Sequence, residues 1–121
     1  MKSYTDLEQS RKLAKILPIE TADMYYHKDR NNDFVQYPHF VKEYQSMTDR
    51  DIIFNEDIIP CWSLTALLDV LPKTINHNTL FIETSPALWH IGYRGTYIAR
   101  SENLIDACYE MILELREFNL L

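Results

Sequence analysis

Towards the C-terminus, apolar residues recur with a helical period. Leu104, Cys108, Met111 and Leu115 are spaced by 4, 3 and 4 positions, accompanied by Ala107, Ile112 and Phe118. This pattern predicts a helix with one packing face. Ser101 or Asn103 supplies its N-cap, and Asn119 is placed to end it, leaving Leu120-Leu121 as an apolar tail that folds back or meets a partner. A second helix is predicted where Leu64, Leu67, Leu68 and Leu71 occupy positions i, i+3, i+4 and i+7, between the capping residue Ser63 and the breaker Pro72. Trp62 then stands where a hydrophobic staple would pack it on Leu67 or Leu68. A third helix is expected from Thr5 to Leu17. Thr5-Asp6-Leu7-Glu8 has the form of a capping box, Leu7, Leu13, Ala14, Ile16 and Leu17 supply the stripe, and Pro18 stops it.

Elsewhere the period shortens to two. Thr79 to Thr84, Leu88 to Arg94 and Thr96 to Arg100 read as three antiparallel strands, separated by Ser85-Pro86 and Arg94-Gly95, with Trp89, Ile91 and Tyr93 on one face. Met24 to His27 and Phe34 to Tyr37 flank the turn-forming run Lys28 to Asp33, which predicts a hairpin closed off by Pro38. From His39 to Ile59 no period holds. The stretch is expected to be a long connection with short strands at Phe40-Val41 and Ile52-Ile53-Phe54, and a connection of that length calls for a function or a different assignment. No repeat or linker divides the chain. The expected architecture is a single α+β domain over residues 1–121, in which an antiparallel sheet, made of the meander and the N-terminal strand or hairpin, is packed by three α-helices.

Composition narrows the function classes. The chain has 121 residues, 46% hydrophobic and 25% charged, with a formal charge of −6. Such a chain has enough apolar surface for a core without staples. The acidic balance weighs against a grip on nucleic acid, which needs clustered cations. Met1 to Asp6 lacks the apolar run of a secretion signal, and no stretch is long and apolar enough to span a bilayer, so a cytoplasmic location without membrane attachment is expected. There Cys61 and Cys108 would be free thiols.

Candidate chemistry is sparse. Two glycines, Gly92 and Gly95, cannot build a phosphate-cradling loop, and no G-x-S-x-G elbow is present. His27, His39, His77 and His90 have no partner at a metal-binding spacing, so neither metal nor cofactor is expected. Cys61, ahead of a helix N-terminus, could have a depressed thiol pKa, and with a histidine such as His77 or His90 it would be the centre of a small hydrolase or nucleotide-modifying enzyme. Asp49 with Asp51, and Glu56 with Asp57, lack the glycine and terminal glutamate of a calcium loop and read as a solvated acidic stretch. There are eight tyrosines. Of these, Tyr25, Tyr26, Tyr37, Tyr93 and Tyr97 are candidates for an exposed aromatic interface with a protein partner or a second copy of the chain.

The segments Thr21-Ala22-Asp23-Met24-Tyr25-Tyr26, Pro60-Cys61-Trp62-Ser63-Leu64-Thr65-Ala66-Leu67-Leu68 and Asn103-Leu104-Ile105-Asp106-Ala107-Cys108-Tyr109-Glu110-Met111-Ile112 resemble a family of small uncharacterised proteins from Bacteroides-group bacteria and their phages. The order of helix, strands, helix, meander and Leu-rich helix is also similar, more distantly, to the phage ABA sandwich domain family. The resemblance implies a phage-related or mobile-element gene acting inside a bacterial cell, and it assigns no site residue. The leading expectation is a non-enzymatic accessory or protein-interaction module. The alternatives are the enzyme centred on Cys61 or His90 and an acidic nucleic-acid mimic.

Overall fold

The computed structural model describes residues 2–121 and has an α+β fold with four helices and two antiparallel sheets. The chain divides into two compact units, Tyr4–Ala66 and Leu67–Leu121, the latter joined by residues 2–3.

In the N-terminal unit, helix α1 (Leu7–Leu13) precedes strand β1 (Met24–His27), strand β2 (His39–Phe40), helix α2 (Val41–Thr48) and strand β3 (Ile58–Cys61). The sheet order is β2-β1-β3, both pairings antiparallel. The helix is shorter than the expected Thr5 to Leu17, running from Leu7 to Leu13, with residues 14–16 in a turn and its N-cap one position later. Asp6, not Thr5, is the N-cap, accepting from the Gln9 amide at 2.8 Å while the Gln9 side chain accepts from the Asp6 amide. Thr5 is instead held by Trp62, just past β3, its amide donating to Trp62 O at 2.9 Å and its hydroxyl accepting from Trp62 N–H at 3.2 Å. Buried and half-buried residues alternate along β1, so Met24 and Tyr26 enter a core with Cys61, Tyr4, Leu7, Phe34 and Ile59. Tyr25 and His27 take the other face.

The expected hairpin partner of β1 is reduced to one bridge, Lys28 to Phe34. The turn chemistry is as read, with the Asp29 carboxylate accepting from the Asn31 and Asp33 amides. Residues 35–37 do not pair as a strand; His39–Phe40 and Ile58–Cys61 take both edges of β1 instead. Phe40-Val41 is thus half strand and half helix start, and Ile52 to Phe54 has no strand at all.

Helix α3 (Leu64–Val70) opens as expected at Ser63, whose hydroxyl oxygen accepts from the Ala66 amide at 3.2 Å. Asp23 secures that cap, accepting from Ser63 N–H at 2.9 Å and from Ser63 Oγ–H at 2.5 Å.

The C-terminal unit is a four-stranded antiparallel sheet in the order β4 (Thr74–Ile75), β5 (Asn78–Thr84), β6 (Trp89–Tyr93) and β7 (Tyr97–Ser101), with helix α4 (Leu104–Glu117) packed on β6 and β7. The sequence pattern located the meander within two residues at each end but missed β4. That strand turns on Asn76 and His77, both at positive φ (49° and 69°), the requirement of a two-residue primed turn. The meander also lies in a different sheet from the strand at Tyr25. Helix α4 buries Leu104, Ile105, Ala107, Cys108, Met111, Ile112 and Leu115. Asn103 accepts from the Asp106 amide at its start, and Asn119, at φ 57°, closes its end while Leu120 N–H reaches Leu115 O at 2.8 Å.

Candidate functional site

Cys61 ends β3 and is fully buried. Its Sγ lies 3.5 Å from Thr5 Oγ1 and donates to Thr5 O at 3.4 Å. Burial pushes its pKa up, outweighing the hydrogen bonds from Thr5 and Ser10 that pull it down. The depressed thiol expected from a position near a helix N-terminus is therefore corrected: loss of water disfavours thiolate more than the local dipoles favour it. Thr5, Ser10, Tyr26 and Trp62 complete a buried polar knot around it. Tyr26 donates to Thr5 O at 2.8 Å, and Thr5 and Ser10 share a hydrogen bond at 2.7 Å.

His90 lies on the face of β6 opposite Trp89, Ile91 and Tyr93, level with Glu83 on β5 and Arg100 on β7. Its Nε2 is 3.0 Å from Ser85 Oγ, the geometry of a serine–histidine dyad. The third member reverses its polarity. Arg100 Nε–H donates to His90 Nδ1 at 3.1 Å, so Nδ1 must be unprotonated and the ring proton sits on Nε2. Nε2–H then donates to the serine oxygen and cannot take its proton. A catalytic dyad has a carboxylate where this cluster has an arginine. Glu83, the nearest carboxylate in register, is paired with Arg94.

His77 sits in the β4–β5 turn. His27 and His39 come together although twelve residues apart, their rings stacked with centroids 5.2 Å apart. Among the described residues no three His, Cys, Asp or Glu side chains gather as metal ligands. The paired acids are also apart in role: Asp49 ends α2 in the left-handed region (φ 55°), Asp51 accepts from Gln45, and Asp57 pairs with Lys28 at 3.1 Å.

The tyrosines divide sharply. Tyr26 and Tyr93 are buried and spend their hydroxyls on backbone carbonyls, Thr5 O and Pro72 O, so they are packing residues and offer no surface. Burial accordingly raises both phenol pKa values, that of Tyr93 to about 12. Tyr97 is half-buried against Phe118, with ring centroids 5.5 Å apart. Tyr25 is half-buried and Tyr37 is exposed.

Tyr25 is the hub of an aromatic platform. Its ring centroid lies 6.0 Å from His27, 5.8 Å from His39 and 6.1 Å from Tyr44, the last edge-on. This platform supports α2, which has no fully buried residue. In the stretch 37–53, which contains α2, Tyr37, Phe40, Met47 and Ile53 are exposed by 63, 46, 85 and 77%. A groove of about 580 Å³, lined by Ala22, Asp23, Phe40, Val41, Lys42 and Glu43, runs beside the start of α2. No family model, curated protein or solved structure matches the chain.

Helix α2 and its exposed apolar residues went unread in the sequence. The signal was present as Val41, Tyr44 and Thr48, spaced i, i+3 and i+7, but over eight residues it is too short to stand out from a polar stretch. What the arrangement offers chemically is contact area: an aromatic base under Tyr44, the exposed Met47 on α2, and acidic groups Glu43, Asp49 and Asp51 close in sequence.

Proposed function

We propose that the chain is a non-enzymatic accessory protein of phage or mobile-element origin, and that it binds a protein partner through residues 37–53. The observation that carries this reading is α2 itself, a helix that buries none of its residues, within a stretch, 37–53, that holds four of the nine exposed large hydrophobics among the described residues. Isolated helices of eight residues do not persist in water, so α2 depends on the Tyr25 platform, and an apolar surface maintained in this way supports a binding role. The closed Cys61 thiol and the reversed polarity at His90 favour this over an enzyme centred on either residue. No helix of the described residues is long and apolar enough to cross a membrane.

The test is recovery of a stoichiometric partner from the native cells by the tagged chain, compared with Met47→Asp, Phe40→Ala and Tyr25→Ala. Because Met47 and Phe40 are exposed, both variants keep the fold, and each is expected to weaken binding at least about tenfold, as central apolar contacts do. Sedimentation of the chain alone covers a second copy as the partner. Retention of the partner by all three variants would sink the proposal.

A further inference from the structure

The chain is acidic, at −6, yet α1 and the turn after it gather three cations against one carboxylate on a single cavity. Glu8, Arg11, Lys12 and Lys15, spaced i, i+3, i+4 and i+7, line a cavity of about 650 Å³ together with Ile16. That volume is in the range of small-molecule sites, roughly 300 to 1,000 Å³. Among the described residues, none of these four charged side chains forms an ion pair. The α1 dipole explains a preference for Arg11 and Lys12 in its last turn, but Lys15 lies beyond the helix. Arg11, Lys12 and Lys15 bring three like charges to one cavity, with the Glu8 carboxylate as the single counter-charge in its lining. Such crowding is relieved when an anion sits between the cations.

Arg11 is also held in place. Its guanidinium carbon lies 5.1 Å from the centre of the Phe34 ring, and Lys28 Nζ lies 5.5 Å from the same ring while paired with Asp57. One ordered guanidinium and two free ammonium groups therefore face one cavity whose wall includes the apolar Ile16.

We propose that this cavity binds a small molecule bearing a di- or triphosphate, its non-bridging oxygens taken by Arg11, Lys12 and Lys15 and its organic part laid along Ile16. Three cations around one cavity match the several negative charges of a polyphosphate better than the single charge of a carboxylate, and guanidinium and ammonium are both strong donors to phosphoryl oxygen. The site shares no residue with the 37–53 surface, so either can fail alone.

The experiment is titration of the full chain with inorganic tripolyphosphate, followed by calorimetry and by the amide resonances of residues 8–16. Saturable one-to-one binding that shifts Ile16 is expected, weakened at least about tenfold in Lys12→Gln/Lys15→Gln, as loss of charged hydrogen bonds requires. Both lysines are exposed, so circular dichroism should be unchanged. Arg100→Gln, on β7, should bind as the parent does. Absence of saturable binding, or affinity unchanged in the double variant, overturns the site. Equal affinity for citrate overturns the phosphate assignment, and tighter binding of duplex DNA at the same residues overturns the small-molecule one.

Discussion

Replacing Thr5 by Val removes one hydroxyl and keeps the β-branched shape, so the change isolates hydrogen bonding. Thr5 is fully buried. Its hydroxyl is the acceptor for Trp62 N–H at 3.2 Å and is bonded to Ser10 Oγ at 2.7 Å. In Thr5→Val the Trp62 amide has no partner at all, at about 1 to 3 kcal/mol for a buried orphan. Ser10 loses less, because a helical serine can turn its hydroxyl to the carbonyl one turn back. The sum is about 3 kcal/mol, or roughly 10 °C in Tm for a chain of this size. Ser10→Ala alone should cost about 1 kcal/mol. The double variant should be less destabilised than the two singles added together, by about 1 kcal/mol, since each removes the other's partner. The assay is urea unfolding by tryptophan fluorescence in a Trp89→Phe background, where Trp62 reports the N-terminal unit. A Thr5→Val variant within about 0.5 kcal/mol of the parent, or strict additivity of the pair, would refute the view that these groups form one buried network.

Gly92→Ala should disrupt the C-terminal sheet, because a Cβ there would lie 2.1 Å from Tyr97 O and 2.8 Å from Ile98 Cα, both backbone atoms that cannot give. A loss above about 3 kcal/mol in urea is expected, and a mild effect would mean that β6 and β7 pair more loosely than described. Stability should fall in alkali. Burial raises the Cys61, Cys108, Tyr26 and Tyr93 pKa values, Cys108 from 9.0 to about 12 and Tyr93 from 10.0 to about 12. The folded chain thus holds protons that the unfolded chain releases, so stability is full below about pH 8 and declines between roughly pH 9 and 12. A urea midpoint equal at pH 7 and pH 10.5 would contradict this, and Cys108→Ala should flatten the decline.

Local pattern by itself determined the elements whose signal is long or strongly periodic. The α4 stripe spans four turns, Ser63 is a clear cap, and the alternation of Trp89, Ile91 and Tyr93 specifies which side of β6 is buried, while the choice of Asn103 over Ser101 as the α4 cap was made by the structure. An α+β fold follows from those features. Tertiary structure decided the rest, because it turned on long-range pairing. β1 takes His39–Phe40 and Ile58–Cys61 as partners, so the local hairpin is cut to a bridge, and Thr5 is hydrogen-bonded to Trp62 while the cap passes to Asp6. Cys61 and Tyr26 have the sequence context of surface chemistry and are closed by burial. Arg100, ten residues from His90, assigns that ring its tautomer. Residues 39–59 carry too little apolar periodicity to specify a helix. There the contacts of Tyr25 with His39 and Tyr44 support what propensity alone leaves undetermined, since eight residues cannot meet the entropy cost of ordering without a surface to pack on.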